Sequence, residues 1–392
     1  MIDYSKMLSK TVCDIKPSGI RKFFDILNEM ENVISLTVGQ PDFMTPWHIR
    51  EAAIESLEKG KTYYTSNAGA EELRLEISKY MKRKFNLDYS HKGEIFVTVG
   101  GSEAIDIAMR SLLSPGDEVI LPQPAFVCYE PIALMLGAKV VHIDTKLENK
   151  FKVTAEEIKA VITPKTKMLI LPFPNNPTGA ILTKEELKEI AKVLEGTNIC
   201  VLSDEIYAEL TYGKRHTSIA EIEGMWERTV IASGFSKAYA MTGWRLGYLC
   251  GPAPLIKEML KIHQYAIMCA PTMSQFAAIE ALKHGDEDIE MMRNEYNRRR
   301  VFILEGLRKI GLEVFEPEGA FYVYPKISGF GLTSDEFCER LLYEHGCAIV
   351  PGTAFGESGE GFARISYAYS VKHLSQALER IEAFVNKLKS EK

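Results

Sequence analysis

Short apolar runs rich in β-branched residues alternate with charged, helix-patterned stretches through the middle of the chain. The runs are Ile95-Phe-Val-Thr-Val99, Glu118-Val-Ile-Leu121, Lys139-Val-Val-His-Ile143, Met168-Leu-Ile-Leu171, Ile199-Cys-Val-Leu202, Thr229-Val-Ile-Ala232 and Gly247-Tyr-Leu-Cys250. Most are nearly continuous in hydrophobicity rather than alternating, which predicts strands covered on both faces, as in a parallel sheet. Between them, 102–113, 183–194 and 254–265 read as helices. Thr183 is a hydroxyl N-cap with acidic residues in the turn that follows, and Ser102-Glu103 places similar chemistry at another helix start. The middle is therefore expected to be an α/β domain with an open, mostly parallel sheet, its ligands bound at the carboxyl ends of the strands.

The ends carry a different rhythm. From about Asp286 a charged helix over 291–307 leads to Glu313-Val-Phe and Gly319-Ala-Phe-Tyr-Val-Tyr324. A helix over 334–344, two short apolar runs (Cys347-Ala-Ile-Val350 and Ala363-Arg-Ile-Ser-Tyr367) and a C-terminal helix from near Lys372 follow. Fewer strands separated by helices predict a smaller α+β domain. Residues 19–31 read as a helix that can pack on that domain or bridge the two parts, and the pattern does not choose. The expected division is an N-terminal segment (1–45) joining the small domain, a large domain over 46–285, and the small C-terminal domain over 286–392.

Composition narrows the function classes. Apolar residues make up 46% and charged residues 26% of the chain, so a large core is available. A net charge of −6 argues against a polyanionic partner such as nucleic acid. The start lacks the basic segment and apolar run of a signal peptide, and no apolar run reaches the ~18 residues of a membrane span. The 7 cysteines are scattered and never in C-x-x-C spacing. Neither a disulfide framework nor a metal site is indicated, and a reducing cytoplasm is the expected location.

Candidate chemistry gathers where the inferred strands end. Ser233-Gly-Phe-Ser-Lys237-Ala-Tyr-Ala-Met-Thr-Gly-Trp-Arg245 holds a lone lysine between two strands, among small residues and aromatics. Desolvation lowers an amine's pKa and makes it nucleophilic, and an arginine offers a fixed fork suited to phosphate. Gly100-Gly-Ser-Glu-Ala104 closes another strand and opens a helix, where backbone N–H groups favour an anion. Pro172-Phe-Pro-Asn-Asn176-Pro-Thr-Gly179 is a stiff turn able to hold Asn176 in place. Ser203-Asp204-Glu-Ile-Tyr207 puts an acid and a phenol after a further strand. Each piece alone reads equally as a plain turn, cap or core residue. Together they supply what pyridoxal phosphate (PLP) needs: a Schiff-base lysine, a phosphate cradle and an acid for the pyridine nitrogen.

At this point the chain resembles the class I/II aminotransferases of the PLP fold-type I group, in the branch of bacterial aspartate, aromatic and N-acetyl-diaminopimelate aminotransferases. The likeness runs nearly end to end. It is carried by Leu36-Thr-Val-Gly-Gln-Pro-Asp-Phe43, Tyr64-Thr-Ser-Asn-Ala-Gly69 with Leu73-Arg74, Pro174 to Gly179, Ser203 to Tyr207, Ser233 to Gly247 and Phe362-Ala-Arg-Ile-Ser366. The resemblance implies that Lys237 is the Schiff-base and proton-transfer residue. It implies that Asp204 pairs with the pyridine nitrogen, that Asn176 and Tyr207 bond the ring hydroxyl oxygen, and that Phe126 stacks on the ring. Gly101, Ser102, Ser236 and Arg245 are expected at the phosphate, Arg364 at the substrate α-carboxylate and Gly39 beside it. Tyr64 is expected to reach the phosphate of a neighbouring subunit, which implies a homodimer.

Two departures matter. Many relatives carry a serine where this chain has Gly234, which leaves Ser233 or Ser236 to replace that phosphate contact. Aspartate-specific relatives often carry a lysine where Ser102 stands, and its absence argues against an aspartate donor. Aromatic residues expected around the pocket (Phe24, Tyr64, Phe126, Tyr129, Phe321 and Phe355) suit a larger side chain. Arg293 and Arg298 to Arg300, the remaining candidates for a second carboxylate site, are expected to face solvent from a charged helix. The expected activity is transfer of an amino group from an aromatic or bulky L-amino acid to a 2-oxo acid such as 2-oxoglutarate, with N-acetyl-diaminopimelate as a rival substrate. A C–S β-lyase or aminocyclopropane carboxylate synthase-like enzyme is the alternative on the same fold. A PLP-binding transcriptional regulator is disfavoured by the acidic charge and the early start of the fold.

Overall fold

The structure, a computed structural model, describes residues 2–17, 19 and 32–391. The expected helix over 19–31, with Phe24, lies outside the described residues apart from Gly19. The first strand, β1 (Ile34–Ser35), is followed by the seven strands of the main sheet: β2 (Ile95–Thr98), β3 (Glu118–Gln123), β4 (Lys139–Asp144), β5 (Thr166–Leu171), β6 (Cys200–Asp204), β7 (Thr229–Gly234) and β8 (Gly247–Cys250). Their order across the sheet is β2-β8-β7-β6-β5-β3-β4. Every residue of β2, β3, β6, β7 and β8 is buried, which is why these segments read as unbroken apolar runs.

One strand runs against the others. β8 pairs antiparallel with both β7 and β2, while the remaining pairs are parallel. Its connection from β7 therefore needs no crossover helix and folds back over the strand ends instead. That connection, residues 235–246, is the lysine segment. The reversal of β8 thus hangs Lys237 over the carboxyl edge of the sheet.

The observed helices extend or shift the expected ones for local reasons. The expected helix over 102–113 is Gly100–Leu112, so Ser102 lies inside its first turn and makes no cap. Thr183 does cap Lys184–Leu194, accepting the Glu186 N–H while Glu186 bonds back to the cap. The expected helix over 291–307 runs over Asp286–Ile310. Three acidic residues favour its first turn, and Gly311, in the left-handed conformation (φ 92°), ends it.

The last part of the chain adds β9 (Tyr322–Val323), β10 (Cys347–Ala348), β11 (Val350–Pro351) and β12 (Ala363–Ser366). β11, β12 and β9 form an antiparallel sheet, and β1 pairs parallel with β10. A separate apolar core holds this region, with Tyr296, Phe321, Leu341 and Phe384 among its members. Tyr207 and Leu210, from just past β6, belong to the same core and so join the two parts beside the sheet's carboxyl edge. No described helix is long and apolar enough to cross a membrane.

Candidate active site

A cavity of about 340 Å³ opens where the sheet's carboxyl edge meets the C-terminal part, and it is lined by Lys237, Asp204, Asn176, Tyr207, Phe126, Gly101, Ser102, Ser236, Arg245, Gly39 and Arg364. The sequence-derived site residues thus converge, with one exception. Tyr64 stands on the surface of its own chain, 76% exposed.

Lys237 Nζ donates to the Gly39 carbonyl at 2.6 Å and lies over the rings of Tyr207 and Phe321 at 5.8 and 5.9 Å. Burial, then the positive charges of Arg364 and Arg245, push its pKa down from 10.5 to about 8. In the cofactor-free protein, amine-directed acylation of Lys237 should rise with a midpoint near pH 8, against about 10.4 for ordinary lysines. A midpoint shared with surface lysines would contradict the burial seen here. The sign for stability follows from the same shift. Between pH 8 and 10.5 the folded chain binds fewer protons at this group than the unfolded chain, so its unfavourable contribution is relieved as pH rises through that window.

Asp204 ends β6 with both oxygens engaged: Oδ1 accepts the Ile206 N–H at 3.1 Å and Oδ2 accepts the Tyr129 hydroxyl at 2.6 Å. Burial pushes its carboxyl up, and these two hydrogen bonds oppose that. Tyr207 is held by another phenol, its hydroxyl 2.7 Å from the Tyr322 hydroxyl. Phe126 lines the cavity and meets Tyr129 edge-on at 6.3 Å.

The stiff turn is built by the other asparagine. Asn175 Oδ1 accepts from the Thr178 N–H at 3.1 Å and its hydroxyl at 2.8 Å, while Asn175 Nδ2 donates to the Pro124 carbonyl at 3.3 Å. Asn176 is thereby left to face the cavity, where its Oδ1 accepts from Arg364 Nη1 at 2.9 Å. Arg364 Nη2 donates to the Thr37 carbonyl at 2.5 Å. The guanidinium lies over the rings of Tyr322 and Phe355 at 4.6 and 4.7 Å, is 2% exposed, and has no partner for Nε among the described residues. Among the described residues its hydrogen bonds go to an amide and a carbonyl, never to a carboxylate. A buried cation without a counter-anion is costly, so this arrangement selects an anionic ligand group.

At the opposite end, Gly100 (φ 77°) starts its helix with no side-chain cap, leaving first-turn N–H groups open. The Arg245 guanidinium lies where a Cβ on Gly100 would go, and Arg245 Nη1 donates to the Thr242 carbonyl at 3.0 Å. A Cβ on Gly247 would meet Gly100 C at 2.6 Å and Gly101 N at 2.8 Å. Gly247→Ala is therefore expected to push the first turn away and to weaken binding of a phosphorylated cofactor, of the kind the resemblance implies, about tenfold or more by spectroscopic titration. Unchanged affinity would show that this turn does not hold the phosphate.

The Gly234 departure has a steric cause. A Cβ there would meet Gly247 Cα and Leu246 O, each at 2.9 Å, so no serine fits without a backbone shift. Of the two neighbouring serines, Ser236 lines the cavity, whereas Ser233 turns away to donate to the Glu205 carbonyl at 3.3 Å.

Other expectations need correction. Phe321 and Phe355 do not line the cavity; they stand behind Lys237 and Arg364, and the aromatic walls are Phe126, Tyr129, Tyr207 and Tyr322. Arg299 is buried rather than solvent-facing, bonded to Asp42 at 2.7 Å and Glu295 at 3.0 Å, and Arg300 is held by Glu316 at 3.0 Å. Only Arg298 of that run is largely exposed. Sequence reading passed over Tyr322 and Thr37. A Tyr in an otherwise apolar strand was the available signal, because a buried phenol needs a partner.

Residues 31–381 match the family Aminotransferase class I and II. A Bacillus subtilis (strain 168) relative named "Probable N-acetyl-LL-diaminopimelate aminotransferase" is 47% identical over 97% of this chain and 96% of its own. An aspartate aminotransferase of Pyrococcus abyssi is 44% identical over 96% of this chain and 97% of its own. The crystal structure of an aromatic aminotransferase from Pyrococcus horikoshii superposes with a TM-score of 0.89 at 43% identity, covering 94% of this chain and 99% of that one. With the fold and the convergent site, these matches make the chain a member of the class I and II aminotransferases, PLP-dependent enzymes of fold type I.

Proposed function

We propose that the enzyme moves the amino group of an aromatic or other bulky L-amino acid to 2-oxoglutarate. The observation that carries this is the cation inventory of the cavity. Among the described residues its cations are Lys237, Arg245 and Arg364. Each has a place in the ligand common to every donor, which leaves none for a side-chain carboxylate. Phe126, Tyr129, Ile105 and Ile206 give the walls an apolar character suited to a large side chain. The same inventory leaves the distal carboxylate of 2-oxoglutarate to neutral donors such as Gln40, so it favours an apolar donor without barring a dicarboxylic acceptor.

The residues fit PLP. The open first turn at Gly101 and Ser102, with Ser236 and Arg245, would hold the phosphate. Asp204 would face the pyridine nitrogen, and a ring cation there would offset the burial that raises its carboxyl. Asn176 and Tyr207 would bond the ring oxygen, and Phe126 would cover the ring. When bound, the cofactor supplies an electron sink for the substrate Cα. Arg364 binds the α-carboxylate by its fork and, with Gly39, sets the Cα beside Lys237. Lys237 Nζ, a free base above about pH 8, takes the Cα proton and returns it on the other side of the transfer. Tyr64 would serve the phosphate site of a second copy, making the working unit a cytoplasmic homodimer. The pairing of β1 with β10 supports assigning residues 1–45 to the small domain over 286–392, with 46–285 as the large domain.

The test mixes holoenzyme with single amino acids and follows its visible spectrum. Bleaching by phenylalanine, tyrosine or leucine, reversed by 2-oxoglutarate, is the expected result. Bleaching by aspartate or N-acetyl-diaminopimelate alone would overturn the donor class. Pyruvate release from cystathionine without reversible bleaching would turn the reading to a C–S lyase.

A further inference from the structure

Tyr322 stands where three assigned groups meet. Its hydroxyl lies 2.7 Å from the Tyr207 hydroxyl. Its ring face lies 4.6 Å from the Arg364 guanidinium carbon. A Cβ on Gly39 would overlap the same hydroxyl, so that backbone closes directly over it. The residue is 1% exposed and lines the cavity.

A hydroxyl has one proton to give and lone pairs to accept with. Within the Tyr207–Tyr322 pair either oxygen can be the donor. If Tyr207 gives its proton to the cofactor's ring oxygen, Tyr322 becomes the donor of the pair. A hydroxyl that accepts a hydrogen bond becomes a stronger donor in turn. The ring of Tyr322 meanwhile fixes the plane of a guanidinium that must present its fork to a carboxylate. Burial raises the Tyr322 pKa, which keeps its proton in place for this role.

We infer that Tyr322 is a positioning residue: its hydroxyl donates to Tyr207 and turns the Tyr207 proton toward the cofactor's ring oxygen, while its ring holds Arg364 in register for the substrate carboxylate. This rests on the roles proposed above for Tyr207 and Arg364. It adds one side chain that joins the cofactor end of the site to the substrate end.

The experiment uses holoenzyme carrying Tyr322→Phe, Tyr207→Phe or both, and reads the pH midpoint of the visible absorbance of the lysine-bound cofactor without substrate. A weaker donor to a negatively charged ring oxygen favours the protonated form. Tyr207→Phe should therefore raise the midpoint, and Tyr322→Phe should raise it by about half a pH unit or more in the same direction. In the double variant the Tyr322→Phe effect should vanish, because its route runs through Tyr207. KM for the donor should stay within about threefold in Tyr322→Phe, which keeps the ring, and rise about tenfold in Tyr322→Leu, which loses it. Tyr322→Phe removes a single oxygen and keeps the packing, so the test stands even if Tyr322→Leu fails to fold. A midpoint unmoved by Tyr322→Phe but moved by Tyr207→Phe overturns this inference alone, as does additivity in the double variant. A midpoint unmoved by Tyr207→Phe removes the underlying reading of Tyr207 and the inference with it.

Discussion

Lys237→Ala is expected to lower kcat by about 10⁴-fold, the upper range for loss of a positioned acid–base group. Lys237 is the cavity's one lysine among the described residues, and nothing else in the lining is placed to take its part. Asp204 is occupied by Tyr129 and Ile206, and Tyr207 and Tyr322 in the cavity lining have pKa values pushed up by burial. The fold of the lysine segment, set by backbone pairing of β7 with β8, does not depend on the side chain. The variant should therefore bind PLP and give the spectrum of a free aldehyde, with no covalent product on borohydride reduction. Lys237→Arg should be equally inactive, since a guanidinium stays protonated at working pH. Single-turnover rates decide the matter: more than about a tenth of wild-type rate in either variant would remove Lys237 from proton transfer.

Arg364→Leu is expected to lower kcat/KM by about 10²- to 10³-fold, within the 2–5 kcal/mol that truncating one member of a buried charge pair costs. The effect should fall mainly on KM, because the carboxylate is held alike before and during reaction. Arg364→Lys should recover little. The observed guanidinium reaches Asn176 and Thr37 with two separate nitrogens while lying over the rings of Tyr322 and Phe355, and an ammonium cannot reproduce both features. Its loss also frees Asn176 Oδ1, so the spectrum of the resting enzyme should shift along with KM. Steady-state kinetics with the best donor would check this. A change confined to kcat would place the substrate carboxylate elsewhere.

Much of the site was readable because its pieces lie at chemically marked ends of strands. Gly100-Gly-Ser, Asn175-Asn176-Pro, Ser-Asp204 and the Lys237 segment each follow an apolar run, and burial of β2, β6 and β7 makes such runs conspicuous. Turn and cap chemistry at Thr183 was equally visible, because a capping box is written in four consecutive residues. The misplaced features depend on partners far away in the chain. Arg299 looked like one charge among several on an exposed helix until Asp42, 257 residues distant, was found against it. Tyr322 lies unmarked within the apolar run Gly319 to Tyr324, and its hydrogen bond comes from Tyr207, 115 residues away. Ser236 and Ser233 were interchangeable until backbone direction turned one inward and one away.

Local pattern in the chain decided the strands, most helices, the place of Lys237 between two strands and the residue types available for phosphate, ring and carboxylate. These follow from hydrophobic period, capping and turn chemistry, which act over a few neighbouring residues. The fold in three dimensions decided that β8 runs antiparallel and so hangs Lys237 over the sheet edge, that Gly247 leaves no room for a side chain at 234, and that Arg364 meets Asn176 across 188 residues. It also decided the depressed Lys237 pKa, because burial and the fields of Arg364 and Arg245 arise only once distant segments share one cavity.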